Sequence, residues 1–333
     1  MARLPTVEDV GRAAGVSRQT VSNVLNAPEL VRPETRHRVE AAIAELGYRP
    51  HASARRLRMR QSSTIGIRLD PVTDGISGAV LDRFLHALTE QADARGLRVM
   101  LFTAADPEDE LRQIRRLRDG ADVDAFVLTS TFHGDPRTRW LGDNGVPFVT
   151  FGRPWGEDDV DAAPHRWVDV DGYAGVRQAT EHLLGAGLRR IGYLGWPSPS
   201  GTGDDRRRGW GDAMRAAGRA DAALALVAEE GVEAGRAALA APGIPRLDGV
   251  VCASDSLALG ALIALRGSVP IIGFDNTPVA LALGLPSVEQ PLAEVAAGAL
   301  ELLFGPHGAT LVDWQARPEA PRHRLVTPRL VLR

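Results

Sequence analysis

The chain has 333 residues, 44% of them hydrophobic and 24% charged, and carries a net charge of −3. The length exceeds one ordinary domain, the composition is that of a globular protein, and no apolar run reaches the roughly 18 residues of a membrane span. The single cysteine, Cys252, excludes an internal disulfide and a multi-cysteine zinc site, and MARLPTVEDVGRAAG lacks the apolar core of a secretory signal, so a cytoplasmic location is expected.

Charge is uneven along the chain. Residues 1–61 hold 11 Arg against 6 acidic residues, a net of +5, whereas the remainder holds 28 against 36, a net of −8. A basic head on an acidic body offers one end to a polyanion, although chance clustering on a solvated surface gives the same count. All 39 basic residues are Arg, which points to codon supply in a GC-rich genome and not to chemistry.

Thr6-Val7-Glu8-Asp9 reads as a helix start, with Thr6 as N-cap and two acids in the first turn. Val10, Ala13 and Ala14 share one face, and Gly15 stops the helix after about two turns. Val16-Ser17 opens a second helix, Ser17 capping and Val16 acting as a hydrophobic staple. Val21, Val24 and Leu25 form its inner face, and Asn26-Ala27-Pro28 ends it. Pro33-Glu34 opens a third helix, with Val39, Ile43 and Leu46 inward and Gly47 as its stop. Two short helices joined by a tight turn and braced by a third predict a helix-turn-helix. The outer face of the second helix carries Arg18, Gln19, Thr20, Ser22 and Asn23, side-chain types that pair with base edges in the major groove. Thr6, Ser17, Ser22 and Asn26 are placed to bond phosphates, together with the N–H groups at the helix starts. A three-helix bundle that binds another protein is the alternative.

The stretch TVEDVGRAAGVSRQTVSNVLN, followed by VRPETRHRVEAAIAELGYRPHASARRLR, resembles the head of the lactose-repressor (LacI/GalR) family of bacterial regulators. The likeness is nearly continuous over residues 6–58 and includes the AGVS-x-x-TVS core and the LGY-x-P segment. It implies that Arg18, Gln19 and Asn23 choose the operator sequence. It also implies that residues 50–58 form a hinge helix whose Leu57, with Ala54 beside it, wedges into the minor groove. His51 stands where the family usually has Asn, which puts that contact in question. Physics supports a hinge that folds on DNA: a helix of under ten residues is marginal, and Arg55, Arg56, Arg58 and Arg60 repel one another until phosphates neutralise them. An apolar wedge kinks the duplex and reads its deformability. An ordinary linker role for Leu57 stays open.

From about Ser62 the chain alternates strands with helices. TIGIRL, LRVMLFTA, DAFVLTS and PFVTFG are apolar strands, separated by ISGAVLDRFLHALTEQADARG, PEDELRQIRRLRDG and DPRTRWLGDNG. The pattern restarts at WVDVDGYAGVRQATEHLLGAG and continues through RRIGYLG, ALALVAE, DGVVCAS and VPIIGFDN. Two successive series predict an α/β effector domain of two subdomains with a cleft between them. This half also resembles the family, and through it the periplasmic sugar-binding fold, in which the chain crosses between subdomains three times. The expected organisation is a helix-turn-helix domain over 1–49, a hinge over 50–61 and an effector and dimerisation domain over 62–333. Within the last, the N-subdomain spans about 62–162 and 291–321, and the C-subdomain about 163–290 and 322–333.

Ligands in such sheets bind beyond the carboxyl ends of the strands. The resemblance assigns Arg206 in DDRRRGW to an effector-clamping arginine and Asp275 in GFDN to an acid that bonds hydroxyls. It assigns Ser254 in CASD to a third effector position and Trp167 to an aromatic lining. Asp70, at the end of the first strand, is a further candidate. A carboxylate, a guanidinium and an indole suit a polyhydroxylated ring, so a sugar is the expected effector. The plainer alternatives are a turn or cap role for Asp275, a salt bridge for Arg206 and a core position for Trp167.

An enzyme is the main rival, since this arrangement hosts many activities. No G-x-S-x-G, H-E-x-x-H or G-x-x-x-x-G-K-[ST] motif occurs, Gly201-Thr202-Gly203 lacks the last Gly of a dinucleotide fingerprint, and the eight His are scattered. No cofactor or metal is expected. A free-standing sugar-binding protein, the second rival, would need export. The expected function is therefore a DNA-binding regulator, a repressor in its simplest form. Two heads of a homodimer would read a palindromic operator, with effector altering the angle between subdomains.

Overall fold

Helix α1 (Val7–Ala14) begins with a capping box: Asp9 N donates to Thr6 Oγ1, and Thr6 N donates back to Asp9 Oδ2. Gly15 closes it at φ 64, a left-handed conformation suited to glycine. Ser17 caps α2 (Arg18–Asn26) by accepting from Thr20 N, and α3 (Pro33–Leu46) ends at Gly47, φ 61. Val10, Ala14, Val21, Val24, Val39 and Ala42 bury the three inner faces against one another. This computed structural model describes residues 5–48, 62–70, 76, 78–156, 165–313 and 321–333. The hinge, with Ala54 and Leu57, lies outside the described residues. The chain divides into two units, residues 1–62 and 63–333.

The second unit contains two six-stranded sheets. The first is ordered β11-β5-β4-β3-β1-β2, from β1 (Thr64–Arg68), β2 (Arg98–Phe102), β3 (Ala125–Leu128), β4 (Phe148–Phe151), β5 (Arg166–Val170) and β11 (His323–Val326), all parallel. Its strands are short and apolar because both faces are covered. Helices α4 (Gly78–Ala94) and α12 (Leu292–Phe304) bury one face through Phe84, Leu88, Val295 and Ala299. Helices α5 (Pro107–Asp119) and α6 (Pro136–Asp143) bury the other through Ile114 and Leu141.

The second sheet is ordered β12-β10-β9-β8-β6-β7. It is built from β6 (Ile191–Gly195), β7 (Leu224–Val227), β8 (Gly249–Cys252), β9 (Ile271–Phe274), β10 (Ser287–Glu289) and β12 (Arg329–Val331). Only the β10–β12 pair is antiparallel. Helices α7 (Gly172–Gly185), α8 (Gly201–Ala216), α9 (Val232–Ala240), α10 (Asp255–Leu265) and the short α11 (Pro278–Ala282) pack around Tyr193, Trp210, Val250, Leu257, Phe274 and Ala280. Among the described residues no helix is long and apolar enough to cross a membrane.

Two expected crossings are corrected. The strand of WVDV, read from sequence as the start of the second series, is β5, and it pairs with β4 in the first sheet. The first crossing therefore falls at Asp171 and not near 163. Likewise β11 stays with β5 and β12 joins β10, which puts the third crossing at residues 327–328 and not near 322. The second falls between β10 and α12, at residues 290–291. An apolar parallel strand looks the same in either sheet; long-range pairing alone decides its place.

Candidate functional site

In each sheet the strand order reverses beside the first strand of its series: β1 lies between β3 and β2, and β6 between β8 and β7. Crevices open there, beyond the carboxyl ends. In the first sheet the crevice is flanked by Asp70, after β1, and Ser130, after β3. Ser130 Oγ donates to Asp70 Oδ2 at 2.8 Å, while Arg68 pairs with the other carboxylate oxygen. In the second sheet Trp196 follows β6 and Ser254 follows β8. Both converge on Glu230, whose carboxylate accepts from Trp196 Nε1 at 2.5 Å and from Ser254 Oγ at 2.9–3.0 Å. Ser254 Oγ also caps α10 by accepting from Leu257 N.

Arg206 projects from α8 beneath this second crevice and is only 5% exposed. Its Nη1 donates to Ala253 O at 2.5 Å, and its guanidinium carbon lies 3.6 Å from the Phe274 ring centroid and 5.3 Å from that of Trp196. Its Nε is buried with no hydrogen-bond partner among the described residues. Asp275 directly follows β9 at φ 106 and is buried, accepting from Gln290 Nε2 at 2.6 Å. Burial pushes its carboxyl up to about 7, against the opposing pull of Arg206. An unused buried N–H beside a buried carboxylate is a place where a polar ligand would complete the bonding.

The two subdomains meet at the rim of this cleft. Arg153, after β4, donates to Asp169 at 2.8 Å and reaches Asp205 of α8 at 3.4 Å. Trp155 Nε1 donates to Thr131 Oγ1 at 3.1 Å, and its ring lies so close to Gly201 that a Cβ there would come within 2.1 Å of it. Only glycine at the start of α8 permits that approach.

On the head, Arg18 and Gln19 are exposed on the outer face of α2, and Gln19 Nε2 donates to Asn23 Oδ1 at 3.1 Å. Arg18 lies 3.9 Å from Glu8, an exposed pair of little strength that leaves the guanidinium available. Thr20, Ser22 and Asn23 are half-buried along the same helix. Thr6 Oγ1 donates its proton to Asp9 Oδ2, so Thr6 serves as a cap and cannot at the same time donate to a phosphate. Ser17 is both cap and partner of the Thr20 hydroxyl.

Residues 6–51 match the family described as bacterial regulatory proteins, lacI family, and residues 81–272 match periplasmic binding proteins and sugar binding domain of LacI family. The HTH-type transcriptional regulator CelR of Thermobifida fusca is 35% identical over 307 residues, covering 87% of this chain and 88% of that protein. The chain belongs to the lacI family of bacterial regulatory proteins. GalS of Salmonella typhimurium is 32% identical over 92% of this chain and 91% of its own. Among solved structures, a CelR–cellobiose complex covers 99% of both chains at 29% identity and TM-score 0.68. The lac repressor dimer bound to operator and the anti-inducer ONPF shares the fold at 23% identity and TM-score 0.79, over 99% of this chain and 98% of that one.

For a lacI-family regulator, a DNA-binding protein and not an enzyme, the expected effector residues divide into two groups. Arg206, Ser254 and Asp275 gather beyond the ends of β8 and β9 and on the helix beneath them. Asp70 lies at the matching end of the first sheet. Trp167 does not join them: it pairs with His323 inside the first sheet, stacked at 4.7 Å and 13°, and is 3% exposed. It lies three residues before the end of β5, about 10 Å short of the crevice. The indole beside Ser254 and Arg206 is that of Trp196. The sequence reading does not single out Glu230, Gln290, Arg153 or Trp155; each follows a strand by one to four residues, a position shared with residues outside the site.

The buried Asp275 carboxyl sets an expected pH dependence. Its folded value near 7 lies above the ordinary 3.8, so between those limits the folded chain holds a proton that the unfolded chain has released. Stability due to this group is therefore greatest at low pH and falls, by up to about 1.4 kcal/mol per pH unit, until pH 7, where it levels. Asp275→Asn should flatten that slope in denaturant melts run from pH 5 to 8; an unchanged slope would place the titration elsewhere.

Proposed function

We propose that this transcriptional regulator is a homodimer whose two heads read a palindromic operator through α2, under control of a sugar held in the cleft between the subdomains, in the cytoplasm. The observation that carries the sugar reading is that Arg206, with its unused Nε, and Asp275 lie at the same end of the second sheet as Gln290, Glu230 and Trp196. Donors and acceptors suit hydroxyls, and the indole suits the C–H face of a ring. The relative crystallised with cellobiose supports this ligand class. Domain limits of 1–49, 50–61 and 62–333 go with the same reading, as does a hinge in which Leu57 and Ala54 meet the minor groove.

In the head, Arg18, Gln19 and Asn23 are the base readers, while Thr20, Ser22 and the amide-bearing helix starts at Thr6 and Ser17, with Asn26, position the duplex. Selection of duplexes from a random pool by the full-length protein should enrich two inverted half-sites. Asn23→Ala should weaken binding to the enriched site by about 1–3 kcal/mol and relax preference at one base pair per half-site. Absence of any enriched sequence, with or without sugar, would refute the operator reading. A thermal-shift panel of mono- and disaccharides that includes cellobiose tests the effector; a flat panel would refute the sugar.

A further inference from the structure

Helix α4 sends one side chain out of its own subdomain. Gln91 and Arg95 donate to Ala293 O and Gly305 O, at the two ends of α12 in the same subdomain. Arg83 reaches the other way: its Nη1 donates to Asp275 O at 3.3 Å and Asn276 O at 3.1 Å, and its Nη2 lies 3.7 Å from Glu289 Oε1.

The acceptors are unusual. Asp275 and Asn276 have φ of 106 and 48, in a region that non-glycine residues occupy only where the surroundings hold them. From the second subdomain the turn is held by its N–H groups. Asp275 N donates to Val288 O at 2.7 Å, Asn276 N to Ser287 Oγ at 2.9 Å and Thr277 N to Asp255 Oδ2 at 2.7 Å. Its two carbonyls are taken by Arg83, from the first subdomain. Nearby Glu289 balances the guanidinium charge.

We propose that Arg83 is a positioning residue for the effector site: from across the cleft it holds the strained turn that presents the Asp275 carboxylate. Any change in the angle between the subdomains must then stretch or release the peptide units that orient Asp275, which couples ligand contact to subdomain movement. That consequence rests on Asp275 being an effector contact; the hold itself does not.

The test needs no ligand. Hydrogen exchange followed by mass spectrometry on the full-length chain compares wild type with Arg83→Met, which keeps the stem and removes the donors, and with Arg83→Lys. The amides of Asn276 and Thr277 should exchange about tenfold faster or more in the methionine variant. Lysine should recover part of that protection, peptides from α1–α3 should be unchanged, and the melting temperature should fall by less than about 4 °C. Exchange at 276–277 within about twofold of wild type would overturn the proposal, and so would a lysine variant no better protected than methionine. Adding cellobiose to the same samples separates the two readings. If the exchange difference is found while no sugar of the thermal-shift panel protects the wild type, Arg83 keeps its role and the sugar falls.

Discussion

Arg206→Ala is expected to lower affinity for the effector sugar by at least about a hundredfold, while duplex binding by the sugar-free protein stays within a few-fold of wild type. The guanidinium offers a buried Nε with no partner among the described residues, and its plane is fixed by the Phe274 ring at 3.6 Å and by Ala253 O. A charge-assisted hydrogen bond to a ligand hydroxyl contributes roughly 1.5–3 kcal/mol, and losing one such bond together with its orienting plane gives the stated factor. Lysine should not substitute. It carries the charge but cannot lie flat on Phe274 or present two donors in a fixed fork, so recovery should remain below about tenfold. Titration calorimetry with the sugar that gives the largest thermal shift, starting from cellobiose, measures both variants. Wild-type affinity in the alanine variant would remove Arg206 from the site. Full recovery by lysine would reduce its role to charge. A second readout needs no sugar: Arg206 pulls the Asp275 carboxyl down, so the fall in stability with rising pH should continue above pH 7 in the alanine variant.

What could be read from the chain beforehand follows from the range of the interactions concerned. The head was legible almost residue by residue, because caps and stops are local: Thr6, Gly15, Ser17 and Gly47 each act within four positions of themselves. The alternation of strands and helices was legible for the same reason. Sheet membership was not, since β5 and β11 are held in the first sheet by partners that sequence periodicity does not name. Trp167 was placed in the cleft by resemblance and proved to be a cross-strand stack. Its place three residues before the end of β5 sets it about 10 Å short of the crevice. Arg206 and Asp275 were reachable because each is tied to a recognisable segment, DDRRRGW or GFDN. Glu230 and Gln290 lie in VAEEG and SVEQP, segments that carry no motif, and they acquire meaning only when β7, β8 and β10 line up. Arg83 reads as an ordinary polar position on an amphipathic helix; the turn it serves is 192 residues away.

The two walls of the cleft are built on different principles, and that bears on where the molecule is fragile. The second-sheet wall is a hydrogen-bonded set around Glu230 and Asp275 in which the buried Arg206 Nε has no partner among the described residues. The first-sheet wall is backed by a buried ionic cluster. Arg137 of α6, 1% exposed, donates to Glu110 Oε2 at 2.8 Å, to both oxygens of Asp135 and to the carbonyls of Thr129 and Ser130. Arg68 bridges Glu110, 3.4 Å away, to Asp70 at the crevice. The residue that lines the crevice is thus oriented from the protein interior.

Arg137→Met should therefore destabilise the protein by about 3 kcal/mol at pH 7, and by less at pH 5. Glu110 is fully buried, and burial already pushes its carboxyl above the usual 4.5, with Arg137 as the chief opposing influence. Without Arg137 the group escapes an uncompensated charge by keeping its proton. The folded chain then binds a proton that the unfolded chain releases above pH 4.5. The cost relative to wild type grows, by up to about 1.4 kcal/mol per pH unit, once the wild-type carboxyl has ionised, so it is larger at pH 7 than at pH 5. Urea titrations at the two pH values check the sign, and Arg137→Met combined with Glu110→Gln should remove the difference between them. A loss equal at both values would mean that Glu110 stays ionised on Arg68 alone. In that case Arg68, and not Arg137, would be the residue that fixes the first-sheet wall, and Arg68→Met would be the variant that loosens Asp70.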